Sequence, residues 1–268
     1  MTAIATPKGP ADAQPAETPA VSVKGLSKTY PGGIEALSDL SLEFPKGQLT
    51  SLLGPSGCGK TTLLKIIAGL LEPTSGQVVV NGKPVTGPGP DRAFVFQDFA
   101  LMPWASVLRN VAFGLELRGV ARSEREAIAE KYIGEVGLGG FEKQFPHELS
   151  GGMRQRVGLA RALAVNADVL LMDEPFSAVD EQTRRKFQED LLRLVANEQK
   201  TFIFVTHSIE EAVYVSDRIA LLLARPSRVA EIIKPNINRE IAPDAMRRDP
   251  VYLDTVERIW SSLRTYVE

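Results

Sequence analysis

A glycine-rich segment has the residue types and spacing of a phosphate-binding loop. Residues 54–61 read Gly-Pro-Ser-Gly-Cys-Gly-Lys-Thr, which fits the pattern G-x-x-x-x-G-K-[ST]. Glycines let the backbone curl so that its N–H groups converge on phosphate oxygens, and the start of a following helix adds partial positive charge. Lys60 can then reach the β- and γ-phosphates, and the Thr61 hydroxyl can ligate Mg²⁺. The residues predicted to contact nucleotide here are Gly54, Pro55, Ser56, Gly57, Cys58, Gly59, Lys60, Thr61 and Thr62.

Two adjacent carboxylates, Asp173 and Glu174, follow the apolar run 169–172. Because α/β sheets bind ligands at the carboxyl ends of their strands, we expect Asp173 to hold Mg²⁺, usually through water. Glu174 would polarise the water that attacks the γ-phosphate. An Asp-Glu pair alone would more often simply open a loop. Its position about 110 residues after a phosphate loop favours the catalytic interpretation.

Short apolar runs predict the strands that position these groups. The predicted strands are 21–26, 37–44, 49–53, 78–80, 169–172, 202–205 and 219–223. The run 49–53 ends at Gly54 and the run 169–172 ends at Asp173, so both deliver functional groups at a strand end. Strands that alternate with helices indicate an α/β fold with a parallel core sheet, and the early hairpins indicate an attached antiparallel subdomain.

Helical patterns occupy the segments between the later strands. Ser123 and Glu126 form a predicted capping box before a helix whose apolar face is Ile128, Tyr132 and Val136. One further helix is predicted from the apolar face Phe187, Leu191, Leu194 and Val195, and another from the cap formed by Ser208 with Glu211. A last helix is predicted to start at Asp249-Pro250, with Leu253, Val256, Trp260 and Leu263 on one face.

Composition narrows the class of protein. The 268 residues carry a formal net charge of −2, whereas nucleic-acid binders usually present a basic surface, so we predict no nucleic-acid partner. The single cysteine, Cys58, excludes a disulfide within the chain and fits a reducing compartment. No apolar stretch approaches the ~20 residues that span a bilayer. Residues 1–20 are rich in alanine and proline and are predicted to be a disordered leader.

A second motif separates this chain from other P-loop proteins, such as small-molecule kinases. Residues 149–156 read Leu-Ser-Gly-Gly-Met-Arg-Gln-Arg, which resembles the signature motif of ABC transporter ATPases. Four further family motifs are matched in order, by Tyr30 (the adenine-stacking aromatic residue), Gln97 (the Q-loop), residues 177–180 (the D-loop) and His207 (the switch histidine). The resemblance covers residues 21–225. It implies an ABC ATPase core with a parallel sheet, an N-terminal antiparallel β subdomain and a helical signature subdomain at about 98–165, followed by a C-terminal extension at 226–268 with a terminal helix.

The resemblance assigns roles to these residues, with ATP and Mg²⁺ as cofactors. The implied catalytic residues are Glu174, His207, Gln97 and Lys60, and the implied Mg²⁺ ligands are Thr61, Gln97 and Asp173. Two subunits of this family pack head to tail, so residues of the signature and D-loop would contact ATP held by the other subunit. These residues are Ser150, Gly151, Gly152 and Asp180.

Several residues leave alternatives open. Met153 and Val179 depart from the commoner Gln and Leu of the family, and we interpret them as subfamily marks. Cys58 is either a reactive thiol or a small filler. The arginines Arg154, Arg156 and Arg161 form a basic helix face that could touch phosphate or lipid, but a solvated, ion-paired face is favoured. His147 is interpreted as a surface or packing residue.

The segment after Gln97 indicates a membrane partner. In ABC ATPases this region faces the membrane permease, and an exposed cluster of Phe99, Leu101, Met102 and Trp104 would suit that contact; the alternative is that Trp104 is core. The sequence Met-Pro-Trp at 102–104 resembles the corresponding segment of the nitrate, sulfonate and taurine importer ATPases.

The resemblance therefore implies the ATP-hydrolysing subunit of a bacterial importer for a small anion. The subunit would be peripheral, on the cytoplasmic face of the inner membrane. It would act as a homodimer or paired ATPase subunits and serve a periplasmic solute-binding protein indirectly. The alternative is a soluble ABC-type ATPase that is not coupled to transport.

Overall fold

The computed structural model describes residues 18–177, 179–223 and 226–267. Residues 1–17 of the predicted leader lie outside this part. The predicted leader ends too late in the sequence, because it includes Ala20. This residue is buried, and its carbonyl accepts a hydrogen bond from the Asn81 N–H at 2.8 Å. This contact ties the start of the described chain to the first sheet.

The first sheet is the predicted antiparallel subdomain. Its strands are β1 (Val21–Tyr30), β2 (Ile34–Phe44), β4 (Ser75–Val80) and β5 (Lys83–Pro84), in the order β2-β1-β4-β5. Every pairing in it is antiparallel. The β1–β2 turn contains Gly32 and Gly33, which have φ values of 91° and 79° that suit glycine.

The second sheet is the core of the fold. It contains β3 (Leu49–Leu53), β6 (Arg92–Val95), β7 (Val169–Asp173), β8 (Thr201–Thr206), β9 (Arg218–Leu222) and β10 (Val229–Ile233), in the order β10-β9-β3-β8-β7-β6. All neighbours run parallel except β10, which pairs antiparallel with β9. β3, β7 and β8 are buried at every residue, as expected for the centre of a parallel sheet. Because β10 lies in the predicted C-terminal extension, that extension contributes a strand to the core.

The described residues contain eight α-helices. They are α1 (Lys60–Ala68), α2 (Val107–Leu117), α3 (Arg122–Glu135), α4 (Gly151–Ala164), α5 (Glu181–Asn197), α6 (Ile209–Val215), the short α7 (Pro243–Met246) and α8 (Pro250–Val267). The segment between β6 and β7 contains α2, α3 and α4, where the helical subdomain is predicted. Among the described helices, none combines the length and the apolar character that crossing a bilayer requires.

Two helix predictions are wrong in detail. Ala121, and not Ser123, precedes the first turn of α3, and no side chain caps it. In α8 the predicted face is rotated, since Leu253 and Trp260 are 52% and 49% exposed whereas Tyr252 and Ile259 are buried. The Tyr252 hydroxyl donates to the Glu210 carbonyl at 3.2 Å, so packing against α6 selects the buried face of α8.

Candidate nucleotide site

The predicted phosphate loop lies between the end of β3 and the start of α1, at the carboxyl edge of the core sheet. Gly57 and Gly59 have φ values of 74° and 102°, in the region that glycine favours. A Cβ on Gly59 would lie 2.7 Å from the Ala36 carbonyl oxygen, and one on Gly54 would lie 2.5 Å from the Leu222 carbonyl oxygen. The loop therefore needs glycine at both of its fixed glycine positions.

Lys60 is 5% exposed and folds back onto its own loop. Its Nζ donates hydrogen bonds to the Gly54 carbonyl at 2.7 Å and to the Pro55 carbonyl at 2.8 Å, and it lies 3.8 Å from the Cys58 Sγ. The ammonium group is thus held inside the curve of the loop, where arriving phosphate oxygens can take the place of these carbonyls.

Thr61 and Asp173 face each other across the gap between α1 and β7. The Thr61 Oγ1 donates to the Asp173 Oδ1 at 2.9 Å. Burial raises the pKa of Asp173; the Thr61 hydrogen bond opposes this shift and the charge of Glu174 adds to it. A cation beside this carboxylate would offset the cost of its burial.

The donor set around Asp173 fits Mg²⁺ better than a cation that the protein alone would enclose. Within residues 18–177, 179–223 and 226–267, no group of three or more His, Cys, Asp or Glu side chains forms a metal cluster. Mg²⁺ is usually held by one or two carboxylates together with substrate phosphates and water. The hydroxyl of Thr61 and the carboxylate of Asp173 lie together and could supply two oxygen ligands to such an ion.

Glu174 and His207 meet at the ends of two adjacent parallel strands, β7 and β8. The His207 Nδ1 lies 3.3 Å from the Glu174 Oε2. Glu174 has a φ of 46°, which is uncommon for a residue other than glycine, and its N–H donates to the Val205 carbonyl at 3.0 Å. Such strain is often found at functional sites, where the surrounding structure must impose it. The predicted base and the predicted switch histidine are therefore in direct contact.

Tyr30 and Gln97 lie at the periphery of this group. The Tyr30 hydroxyl shares a hydrogen bond of 3.2 Å with the Thr62 Oγ1, so the aromatic ring stands beside the first turn of α1. Gln97 is exposed two residues after β6. Across the described ranges, no hydrogen bond joins Gln97 to Asp173 or to the phosphate loop.

The signature and the D-loop pack against each other. Ser150 caps α4, its Oγ accepting from the Met153 N–H at 3.3 Å. Gly152 is buried, and a Cβ there would lie 2.8 Å from the Val179 Cγ1. Asp180 caps α5 through the Thr183 N–H at 3.0 Å, and these hydrogen bonds lower the pKa of Asp180. Val179, the D-loop departure, is thus a packing partner of the signature. Ala178 lies outside the described residues.

The three arginines of α4 are partly buried, so the prediction of a solvated face is wrong, although Arg156 does form an ion pair, with Asp190. The Arg154 Nη1 donates to the Leu149 carbonyl at 2.7 Å. The Arg156 Nη1 donates to the Val136 carbonyl and pairs with Asp190 at 2.8 Å.

Arg161 holds the segment that follows Gln97. Its guanidinium donates to the Phe99 and Ala100 carbonyls at 2.7 Å each. Both acceptor residues have positive φ, at 60° and 44°. Burial lowers the pKa of Arg161. α4 therefore fixes the shape of the post-Gln97 segment through Arg161, which the sequence analysis had placed on a solvated face.

The solvent exposure of Cys58 and His147 bears on the predictions made for these two residues. Cys58 is 1% exposed and burial raises the pKa of its thiol, which favours a small filler over a reactive group. His147 is exposed and stacks on Phe145 with the ring centroids 5.9 Å apart, as predicted for a surface residue.

The predicted apolar cluster after Gln97 is exposed mainly at one residue. Trp104 is 75% exposed, so the alternative that it belongs to the core is wrong. Phe99, Leu101 and Met102 are only half-buried, which is less exposure than the cluster prediction required.

Asn110 is a structural residue that the sequence analysis missed. It is fully buried, and its side chain accepts from the Met102 N–H at 2.8 Å and donates to the Met102, Ala105 and Ser106 carbonyls. These bonds close the turn that presents Trp104. An asparagine in the first turn of a helix, after an apolar loop, was the available sequence signal.

Comparisons with known proteins agree with this geometry. The ABC transporter family model matches residues 37–177. The chain is 52% identical over 222 residues to an uncharacterized ABC transporter ATP-binding protein of Methanocaldococcus jannaschii, covering 82% of this chain and 83% of the relative. It is 46% identical over 244 residues to the taurine import ATP-binding protein TauB of Pseudomonas fluorescens, covering 89% and 92%.

Among solved structures, an ATP-binding cassette in a dimeric post-hydrolysis state bound to ADP and Pi is similar. Its TM-score is 0.72 and its sequence identity 34%, and the match covers 80% of this chain and 98% of that one.

Proposed function

Since this chain belongs to the ABC transporter family of ATP-binding, ATP-hydrolysing proteins, we propose that it is the ATPase subunit of an importer for a small anion. The transported solute would be nitrate, an aliphatic sulfonate or taurine. The solute class is supported by the relative named for taurine import and by the Met-Pro-Trp sequence at 102–104. The subunit would lie at the cytoplasmic face of a bacterial inner membrane, with permease subunits as its partners.

The observation that carries the catalytic part is that five side chains lie at one edge of the core sheet. Lys60 lies inside the phosphate loop, Asp173 bonds Thr61, and Glu174 contacts His207. Thr61 and Asp173 would hold Mg²⁺, with Gln97 as a further oxygen ligand, and the bound cation would neutralise charge on the phosphates.

Each side chain then has a distinct task in hydrolysis. Lys60 would exchange its two loop carbonyls for β- and γ-phosphate oxygens and so stabilise the charge that develops between them. The Glu174 carboxylate would accept a hydrogen bond from the attacking water and draw off its proton. His207, 3.3 Å from that carboxylate, would keep it oriented. Tyr30 would stack on adenine at the outer end of the site.

The signature is proposed to complete the site of a second copy. Ser150 caps α4 locally, and among the described residues none of its hydrogen bonds reaches residues 54–62. A helix start with Ser150, Gly151 and Gly152 is suited to bind an anion, and Asp180 lies beside it. A dimer with two shared sites gives these residues a phosphate to contact, and the similar cassette was solved as a dimer.

Mixing two inactive variants tests this sharing. Gly152 is a poor site for substitution because any side chain would clash with Val179 of its own subunit. Ser150→Asp keeps an N-cap residue of nearly equal quality but places a negative charge toward the partner's phosphate. We expect Ser150→Asp to retain ATP binding and to lose hydrolysis by about 100-fold or more. The matched control is Ser123→Asp, on the exposed start of α3, which should behave like the parent.

The decisive step combines Ser150→Asp with Lys60→Ala in equal amounts. Random pairing makes half of the dimers mixed, and each mixed dimer holds one complete site, so a gain in rate is expected, up to about a quarter of the parent rate per chain. A single-turnover measurement detects hydrolysis at that one site without requiring repeated cycles of the dimer. A mixture that remains as inactive as its two components would contradict the shared site.

The permease contact predicts a separate effect for Trp104. Because this side chain is 75% exposed, Trp104→Ala should leave the melting temperature of the isolated subunit unchanged. Loss of a buried aromatic anchor from an interface weakens binding by about 2 kcal/mol, roughly 30-fold in Kd. Trp260→Ala, at the other exposed tryptophan, is the control and should bind permease like the parent. Normal permease binding by Trp104→Ala would remove the proposed contact.

A further inference from the structure

An ion pair between Arg184 and Glu211 lies between the D-loop and the turn that carries His207. Arg184 is in the first turn of α5 and Glu211 is in the first turn of α6. Their side chains are 32% and 12% exposed, so the pair is shielded from solvent on the glutamate side. Neither residue has a role in the site described above.

The arginine follows the D-loop. Its Nη2 donates to the Val179 carbonyl at 3.1 Å and its Nη1 donates to Glu181 at 3.3 Å. Asp180, between these two residues, caps the same helix. Because the acceptor, the cap and the arginine belong to one turn, a shift of the D-loop carries the guanidinium with it.

The glutamate holds the turn around His207. Its Oε2 accepts from the Thr206 Oγ1 at 2.6 Å, and that same Oγ1 accepts from the Ser208 N–H at 3.0 Å. These two bonds enclose His207, whose Nδ1 lies 3.3 Å from Glu174. The position of the Glu211 carboxylate therefore bears on the backbone that aims His207.

The contact between the two halves is incomplete in this structure. The Arg184 Nε lies 3.7 Å from the Glu211 Oε1, which is an ion pair but too long for a hydrogen bond. This buried Nε has no hydrogen-bond partner within the part of the chain that is described. A buried donor without an acceptor is unfavourable, and a shift of under 1 Å would form a charge-assisted hydrogen bond.

We propose that Arg184 and Glu211 are positioning residues that transmit the position of the D-loop to His207, so that closure at one nucleotide site aligns Glu174 at the other. This inference rests on the proposed shared sites, in which the D-loop of each subunit faces its partner's nucleotide. The signal passes from Val179 to Arg184, then to Glu211, then to Thr206 and His207.

Substitutions that remove charge but keep size test the link. Arg184→Gln and Glu211→Gln should each lower kcat by about tenfold and leave KM for ATP unchanged. The Hill coefficient for ATP should fall toward one, because coupling between sites is lost. The double variant should be no slower than either single variant. Arg185→Gln is the control, since Arg185 pairs with Glu181 in the same turn of α5 and, in the part of the chain that is described, forms no ion pair with Glu211.

Stability and cooperativity separate this link from a merely structural role. A fall in kcat that tracks a fall in melting temperature, or losses that add in the double variant, would overturn the coupling. A cooperative parent with Arg184→Gln indistinguishable from it would also overturn the coupling while leaving the shared sites intact. A parent that hydrolyses ATP without cooperativity, as a monomer, would contradict the shared sites and the coupling together.

Discussion

Lys60→Ala is expected to abolish ATP hydrolysis and to weaken nucleotide binding severely, while the nucleotide-free protein keeps its fold. Lys60 is 5% exposed, and among the described residues its Nζ forms hydrogen bonds only with its own loop, at Gly54, Pro55 and Cys58. Truncation of this side chain therefore breaks no hydrogen bond to a distant part of the described chain. The loss of a cation from the β- and γ-phosphates should lower kcat by about 10³-fold or more.

Circular dichroism and calorimetric titration with ATP are the measurements for this variant. We expect a spectrum like that of the parent together with lost ATP binding. Lys65→Ala is the matched control, since it removes an exposed lysine from the same helix and should retain binding. Unchanged ATP affinity in Lys60→Ala would exclude the loop as the phosphate site.

Glu174→Gln should separate binding from hydrolysis. Glutamine has nearly the same size and can keep a hydrogen bond to His207, but it cannot take a proton from water. ATP binding should therefore persist while kcat falls by about 10²- to 10⁴-fold. Phosphate release measured at saturating ATP reports the loss.

The control for Glu174→Gln lies nearby in the first turn of α6. Glu210→Gln neutralises an exposed carboxylate, and its activity should equal that of the parent. Turnover near the parent rate in Glu174→Gln would show that another group activates the water.

The parts of the site that could be predicted are those that a short segment of sequence determines. The phosphate loop follows directly from a buried strand, and Asp173 ends another, so spacing alone places them at one edge of a parallel sheet. The Ser208 cap is also local, and it was confirmed by the bond from the Glu211 N–H at 3.2 Å. By contrast, β6 and β10 were missed because the charged residues Arg92 and Glu231 interrupt their apolar pattern.

The contacts that could not be predicted join residues distant in sequence. Arg161 holds Phe99 from 62 residues away, and no spacing in either segment indicates the pairing. The buried face of α8 depends on its packing against α6. The apolar periodicity of the sequence predicts that Leu253 is buried, whereas in the structure Tyr252 is buried in its place. Long polar side chains carry little periodic signal, which is why the arginines of α4 were interpreted as solvated.

The most direct test of the central claim is the molar mass of Glu174→Gln in solution, measured by light scattering with and without Mg²⁺ and ATP. Two chains that enclose ATP between the phosphate loop of one and the signature of the other should form a stable dimer once hydrolysis is blocked. The account predicts the 29.2 kDa chain mass without nucleotide and twice that mass with ATP. The dimer should be lost again when Ser150→Asp is added. A Glu174→Gln chain that binds ATP, fails to hydrolyse it and stays at the mass of one chain would contradict the shared site.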